Sequence, residues 1–351
     1  MNEKIDIRSM LPEELIEYFA TLGEPKFRAK QVFPRLMKGE RIADITNLSK
    51  ALRERLAEET LDTLPVVEEK YVSKLDGTVK YLFKLHDGAC IESVFMKYKH
   101  GNTICISSQV GCRMGCKFCA STIGGRDRDL LPSELLGQII AAELDSGERI
   151  SNIVMMGIGE PLDNYDNVIK FLKLVNHPDG INIGYRHISL STCGVVPKIR
   201  ALAEVDIPIT LSISLHAATD EKRSEIMPVN NKWKIAELLS ACVDYYKVTG
   251  RRISFEYTLI FGKNDTEQDA RELATLLKNA FRGTGAPIHV NLIRVNEVAE
   301  TGFKKGSDES AHAFAASLEK QGVVATVRRR LGADVNAACG QLRRKKQQSE
   351  T

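Results

Sequence analysis

The chain has 351 residues, enough for one large domain with a smaller companion or for two of moderate size. With 43% hydrophobic and 27% charged residues, 25 Gly and 11 Pro, the composition excludes collagen-like, low-complexity and largely disordered classes. The 49 Lys and Arg against 46 Asp and Glu leave +3, which neither demands nor forbids a polyanionic partner. Glu3, Asp6, Glu13, Glu14 and Glu17 break up the first twenty positions, and no long apolar run occurs, so a cytoplasmic protein with no membrane partner is expected. Eight cysteines are too sparse for a disulfide scaffold and point to a reducing compartment, where clustered cysteines are usually metal ligands or catalysts.

Residues 1–65 read as a helical module, with helices over 11–22, 26–38 and 49–61 and turn or cap signals at Gly23, Gly39 and Asn47. In the second helix Lys26, Arg28, Lys30, Arg35 and Lys38 have Glu24 as their acidic neighbour, giving either a solvated face or a phosphate-contacting one. Residues 66–101 change to short alternating runs divided by Asp76-Gly77, Asp87-Gly88 and His100-Gly101, the signature of a β-meander. Its end, Met96-Lys-Tyr-Lys-His100, suits either an edge strand protected by charge or a nucleic-acid contact.

Over residues 102–300, strands are expected near 104–107, 153–156, 187–190, 209–215, 253–259 and 288–293. Helices fall between them, for example at 133–144, 235–248 and 268–280. Six β-α units in series imply parallel strands with right-handed crossovers, in either an open doubly wound sheet or a full or partial barrel, and the barrel is preferred. Residues 301–351 form a C-terminal segment whose end is basic: Arg328, Arg329, Arg330, Arg343, Arg344, Lys345 and Lys346 face only Asp334 and Glu350. A solubilising tail is the plain alternative to a phosphate-binding one.

The informative motif is Cys112-Arg-Met-Gly-Cys116-Lys-Phe-Cys119, directly after the first core strand. Three thiolates on one short loop suit an iron-sulfur cluster with one metal corner open to substrate. Structural zinc, which more often uses paired C-x2-C knuckles or brings in histidine, is the alternative.

At this triplet the sequence resembles the radical S-adenosylmethionine enzymes, in which such cysteines hold a [4Fe-4S] cluster and S-adenosylmethionine chelates the fourth iron. The resemblance implies an α/β fold built on a partial (β/α)6 barrel, with active-site residues at the ends of its strands. Gly159-Glu160-Pro161 follows the apolar run 153–158, and a carboxylate there can accept hydrogen bonds from the methionyl ammonium, a mere turn being the alternative. Ser191, Ser214-Leu215-His216 and Asn296 stand where the resemblance puts contacts to ribose, carboxylate and adenine. Ser and Asn also commonly cap helices, and a single His is often structural.

The match narrows at Ile106-Ser-Ser-Gln-Val-Gly-Cys112, Met156-Gly-Ile-Gly-Glu-Pro-Leu162, Ser191-Thr-Cys-Gly-Val-Val-Pro197 and Ala337-Ala-Cys-Gly-Gln-Leu342. Together these resemble the RNA adenine methyltransferases of that superfamily, both the branch acting at carbon 2 and the antibiotic-resistance branch acting at carbon 8. Carbon 2 of adenine is too electron-poor to attack a sulfonium methyl group, whereas a carbon radical can add to it. The resemblance implies two S-adenosylmethionine molecules per turnover: one methylates Cys339, and the second is cleaved to a radical that takes hydrogen from the new thioether methyl. The methylene radical adds to the base, Glu92 accepts a proton, and Cys105 resolves the protein-RNA adduct by forming a disulfide with Cys339. Cys90, Cys193, Cys242, Met155 and Met156 read as packing residues.

The substrate must offer an unstacked adenine. The resemblance suggests 23S ribosomal RNA near the peptidyl-transferase centre, transfer RNA next to the anticodon, and an electron donor such as flavodoxin or ferredoxin. Val110 and Glu160-Pro161 go with the carbon 2 branch. Arg294 stands where those enzymes usually carry proline, so carbon 8 stays an alternative. A radical enzyme acting on a protein or small molecule, and an RNA-binding protein with a structural metal, are the readings from other classes.

Overall fold

The computed structural model describes residues 4–297 and 300–335. Cys339 and the basic run 343–346 lie outside the described residues. Three helices come first: α1 (Pro12–Thr21), α2 (Phe27–Met37) and α3 (Lys50–Glu59). Pro12 opens α1, where its missing N–H costs nothing, and the Glu14 carboxylate accepts from the Leu11 N–H at 2.7 Å. Leu15 and Phe19, one turn apart, are buried against the rest of the core. The basic face of α2 is partly neutralised, since Arg28 pairs with Glu24 at 3.3 Å and Arg35 with Glu40, just past the helix, at 2.8 Å. Lys26, Lys30 and Lys38 remain exposed.

The meander follows as β1 (Val66–Val72), β2 (Val79–Lys84) and β3 (Cys90–Met96), paired antiparallel in sequence order. Then come β4 (Thr103–Cys105), the short hairpin β5 (Gln109–Gly111) with β6 (Arg126–Asp129), α4 (Pro132–Ser146), β7 (Asn152–Met155), α5 (Tyr165–Asn176), β8 (Ile188–Thr192) and α6 (Val196–Ala203). The chain continues through β9 (Thr210–Ser214), α7 (Asp220–Ile226), α8 (Ile235–Thr249), β10 (Ile253–Leu259), α9 (Glu267–Ala280), β11 (His289–Arg294), α10 (Asp308–Lys320) and β12 (Val324–Val327).

One sheet carries the order β1-β2-β3-β4-β7-β8-β9-β10-β11-β12. It is antiparallel up to β4 and parallel from β4 to β12, as serial β-α crossovers require. Side chains from β3 and β4 line the same cavity as residues from β11 and the segment after β12, so the sheet wraps around a lumen, in keeping with a barrel rather than an open sheet. The six expected β-α units run from β4 to α10, and β12 adds a seventh parallel strand beyond them. The divisions expected at 101/102 and 300/301 therefore fall within one sheet. Beyond β12, residues 328–335 cross to the β1–β2 turn, where Asp334 accepts from the Ser73 hydroxyl at 2.6 Å and the Lys74 N–H at 2.9 Å. Asp76 accepts from the Gly332 N–H at 2.9 Å. This strap ties the last strand back to the meander. Among the described residues no helix is long and apolar enough to cross a membrane.

Candidate active site

The cysteine triplet sits on a loop closed at its base by β5 and β6, with the Cys112 N–H donating to the Gly125 carbonyl at 2.8 Å. Inside it the Cys119 N–H donates to the Cys116 carbonyl at 3.0 Å, and the Thr122 hydroxyl donates to the carbonyls of Cys116 and Cys119. The Lys117 N–H reaches Ile226 at the end of α7. Arg113 forks onto Asp163, which also accepts from Gln109. The loop is thus fastened on both flanks, and its three sulfurs face a cavity of about 520 Å³.

Burial pushes the Cys112 thiol up to about 12 and Cys116 well above the ordinary thiol range, with the neighbouring cysteines adding to both. As bare thiolates these ligands would repel one another in a desolvated site, so the donor set calls for a cationic group between them. Among the described residues no three His, Cys, Asp or Glu converge on a single ion. The all-thiolate donor set of one short loop suits a cluster, which takes each cysteine on a different iron.

At the next strand end, Gly159 has φ +108, and a Cβ there would lie 2.7 Å from the backbone nitrogen of Gln109. The Glu160 carboxylate, only 3% exposed, accepts from the N–H groups of Cys193 at 2.7 Å and Leu162 at 3.0 Å. Burial pushes the Glu160 carboxyl up while its bonds from the Cys193 and Leu162 backbone pull it down, and the group braces the β7 and β8 loops on the cavity wall. Ser191 and Ser214, at the ends of β8 and β9, stand with hydroxyls 3.5 Å apart on the cavity wall. His216 has the left-handed φ of +58, unusual outside glycine, and is held there by Thr258 N–H donating to Nδ1 at 2.9 Å and by Asn264 donating to its carbonyl at 2.7 Å. Burial and nearby Arg223 drop its imidazole to about 3. The ring is neutral with Nδ1 accepting, so the proton sits on Nε2. Asn296 lines the rim. Leu215 does not join the lining: it is wholly buried, its N–H bonds Glu256 and its carbonyl accepts from Arg223.

Cys105 ends β4 and lies in register with Val94 of β3, so both project to the lumen. Glu92, two positions before Val94, shares that face and is a diagonal neighbour of Cys105 across the antiparallel pair. Leu331 of the strap packs on the cluster of Val94, Met96 and Cys105, eight positions before Cys339 in the chain.

Sequence reasoning missed Arg223. Its guanidinium, on a residue 1% exposed, donates to the carbonyls of Leu215, Cys193 and Ser214 and to the Asn230 side chain, binding two loops of the site together. One arginine in a charged helix start carries no signal of that. Glu256 of β10, 3% exposed and bonded to Asn291 at 2.7 Å, also faces the cavity. Cys193, Met155 and Met156, read as packing residues, line the cavity, whereas Cys242 is core. Tyr98 lines it as well, which gives the meander's aromatic a place in the site, while Lys97 pairs with Glu148. Arg328, Arg329 and Arg330 stand at the same mouth.

Comparison with known proteins agrees with this geometry. A family model described as the radical SAM superfamily matches residues 106–277, and one described as the ribosomal RNA large subunit methyltransferase N-terminal domain matches residues 5–61. The chain is similar to a probable dual-specificity RNA methyltransferase RlmN from Alkaliphilus oremlandii, 56% identical over 98% of both chains. A protein of the same description from Clostridium botulinum is 55% identical over 95% of this chain and 94% of its own. Among solved structures, a radical SAM methyltransferase from Sphaerobacter thermophilus superposes with a TM-score of 0.90 at 39% identity, covering 96% of this chain and 98% of that one. Superfamily membership implies a [4Fe-4S] cluster and S-adenosylmethionine, which the cysteine loop and the neighbouring strand ends suit. This chain belongs to the RlmN family of radical S-adenosylmethionine RNA methyltransferases.

Proposed function

We propose that the chain methylates carbon 2 of an adenine in 23S ribosomal RNA, and of the adenosine next to the anticodon in transfer RNA, through a methyl relay on Cys339. The observation that carries this reading is the sharing of one cavity by the cysteine triplet, the strand-end residues from Gly159 to Asn296, and Cys105. Cys112, Cys116 and Cys119 hold the cluster. Gly159, Glu160, Ser191, Ser214, His216 and Asn296 form the S-adenosylmethionine site, and Leu215 supports it from the core, its N–H and carbonyl held by Glu256 and Arg223. When bound, the cluster with its cofactor supplies a carbon-centred radical, fed by an electron donor such as flavodoxin or ferredoxin, and two S-adenosylmethionine molecules are used per turnover.

The protein's own groups do the remaining work. Cys339 carries the methyl carbon to the base. Glu92 takes the proton released from carbon 2, and the electron left on the base by radical addition is one that the bound cluster would accept. The Cys105 thiolate then attacks the Cys339 sulfur: the S–S bond forms, the sulfur-carbon bond breaks, and its electron pair leaves with the methylene carbon, which takes up a proton to become the product methyl. Cys105 packs with Val94 and Met96 on the wall of the cavity that would take the base. Arg328, Arg329 and Arg330 contact phosphates at the mouth, and the exposed lysines of α2 extend that contact in an N-terminal accessory module.

The test is an anaerobic reaction of the cluster-loaded enzyme with RNA. The reading predicts that Cys105→Ala accumulates a covalent protein-RNA species while releasing no product. Cys339→Ala forms neither, yet still cleaves S-adenosylmethionine. Product formation by Cys339→Ala would overturn it.

A further inference from the structure

We propose that Lys80 is a positioning residue for the proton acceptor Glu92, fixing its carboxylate through the buried ion pair the two form. This rests on the relay reading above and deepens it.

Lysine is rarely buried in full, yet Lys80 of β2 is 0% exposed and Glu92 1%, with Nζ and Oε2 3.0 Å apart. The register explains how the two meet. Lys80 lies opposite Val94, and Val94 opposite Cys105, so Lys80, Val94 and Cys105 form one row on the lumen face. Glu92 stands one pleat from that row, toward the strand ends where the cysteine loop begins. Tyr81 and Phe83 of β2 stack on the opposite face at 5.1 Å, so the alternation leaves Lys80 no route to solvent past them. An aliphatic residue would fill the same place beside Val94 without desolvating a charge. Packing alone therefore gives no reason for an ammonium here, whereas its charge acts directly on Glu92.

A carboxylate left alone in such surroundings takes up a proton, and the neutral acid cannot accept a second one from adenine. An ammonium 3.0 Å away favours the charged form of its partner and fixes where its oxygens point. Once Glu92 accepts the carbon 2 proton, the pair turns from neutral to singly positive in a desolvated place, which favours passing the proton on and resets the acceptor. The other titratable and charged groups lining the cavity among the described residues include Glu160, bonded to the N–H groups of Cys193 and Leu162, and Glu256, bonded to Asn291, with Arg294, Glu297, Lys305 and Arg328 to Arg330 also on its wall. Cys105 is the diagonal neighbour.

The experiment uses the full chain, cluster-loaded and anaerobic, with RNA and S-adenosylmethionine. Four products are scored per cluster: deoxyadenosine, S-methylated Cys339 peptide, covalent protein-RNA species and released methyladenosine. Lys80→Met is expected to keep the first two, to accumulate the covalent species, and to lose about 10²-fold or more of the released product, the scale of general-base loss. Lys80→Arg restores release. Lys80→Met placed on Glu92→Gln adds no further loss, since both remove the same step. Should Lys80→Met not retain iron, Lys80→Gln is scored in the same way. Wild-type release by Lys80→Met, a parallel fall in all products, or multiplicative loss in the double variant overturns the proposal. If Glu92→Gln itself fails to accumulate the covalent species, it is the relay reading that fails.

Discussion

Replacing Gly159 by alanine separates a backbone effect from a contact effect, because Gly124 offers a matched control. Gly159 has φ +108 and Gly124 φ +104, so both alanine variants place a side chain where L residues are rarely found, at about 1–3 kcal/mol each. No atom lies within 4 Å of a Cβ built at Gly124. At Gly159 the same atom comes within 2.7 Å of Gln109 N, Gln109 Cβ and Ser108 Oγ, in a place where backbone has to move. That overpacking adds about 1–3 kcal/mol, for a total of roughly 2–6. Gln109 also holds the Glu160 N–H at 2.9 Å and Asp163 at 3.1 Å, so its displacement reaches the cofactor loop and the cysteine loop together. Urea unfolding of the cluster-free proteins reads the stability difference without a bound cofactor complicating the transition. Equilibrium dialysis of the loaded enzymes reads S-adenosylmethionine affinity, which Gly159→Ala should lower about tenfold or more, a cost of at least about 1.4 kcal/mol. Equal midpoints for the two variants, with affinity unchanged in Gly159→Ala, would refute the close-approach argument.

His216 gives a pH prediction. Its imidazole is held at about 3 in the fold and titrates near 6.5 when unfolded. Between those values the unfolded chain binds the extra proton, so stability falls as pH drops through the window, by about 1.4 kcal/mol per unit from this group. Urea midpoints across that range should show a shallower slope in His216→Gln, and an unchanged slope counts against a buried neutral ring. Arg223→Lys keeps the charge but loses the fork that serves four acceptors. Leaving two of these unsatisfied costs about 1–3 kcal/mol each, and both unfolding midpoint and cofactor affinity should drop. Changing Arg329 and Arg330 to glutamine should reduce the salt slope of RNA binding by about one for each phosphate no longer neutralised, with S-adenosylmethionine affinity unaltered. An unchanged slope would remove those residues from the RNA interface.

The fold was largely legible where periodicity was strong. The expected strands at 153–156 and 253–259 meet β7 and β10 within a residue, and the helix expected at 235–248 meets α8. Pro132, with Glu134 two positions on, marks the start of α4 through a capping bond to Leu131. The seventh parallel strand was not legible: Val324 to Val327 is four residues abutting three arginines, and the charge outweighed the short apolar run. In the site, Cys112, Cys116 and Cys119 could be read because a local spacing encodes their loop. Gly159 to Asn296 could be read only by resemblance, since out of context Gly159-Glu160 reads as a turn, Ser191, Ser214 and Asn296 as caps, and His216 as a structural residue. Arg223, Glu256 and Lys80 could not be read at all. Their meaning lies in burial and in partners from other strands and loops, which depend on register and crossover rather than on neighbours in the chain.

The account rests on radical methylation at adenine carbon 2, and nucleoside mass spectrometry after anaerobic turnover tests that most directly. The cluster-loaded enzyme, given RNA and S-adenosylmethionine, should yield 2-methyladenosine together with deoxyadenosine. Release of 8-methyladenosine, or of deoxyadenosine without any methylated adenosine, would contradict it.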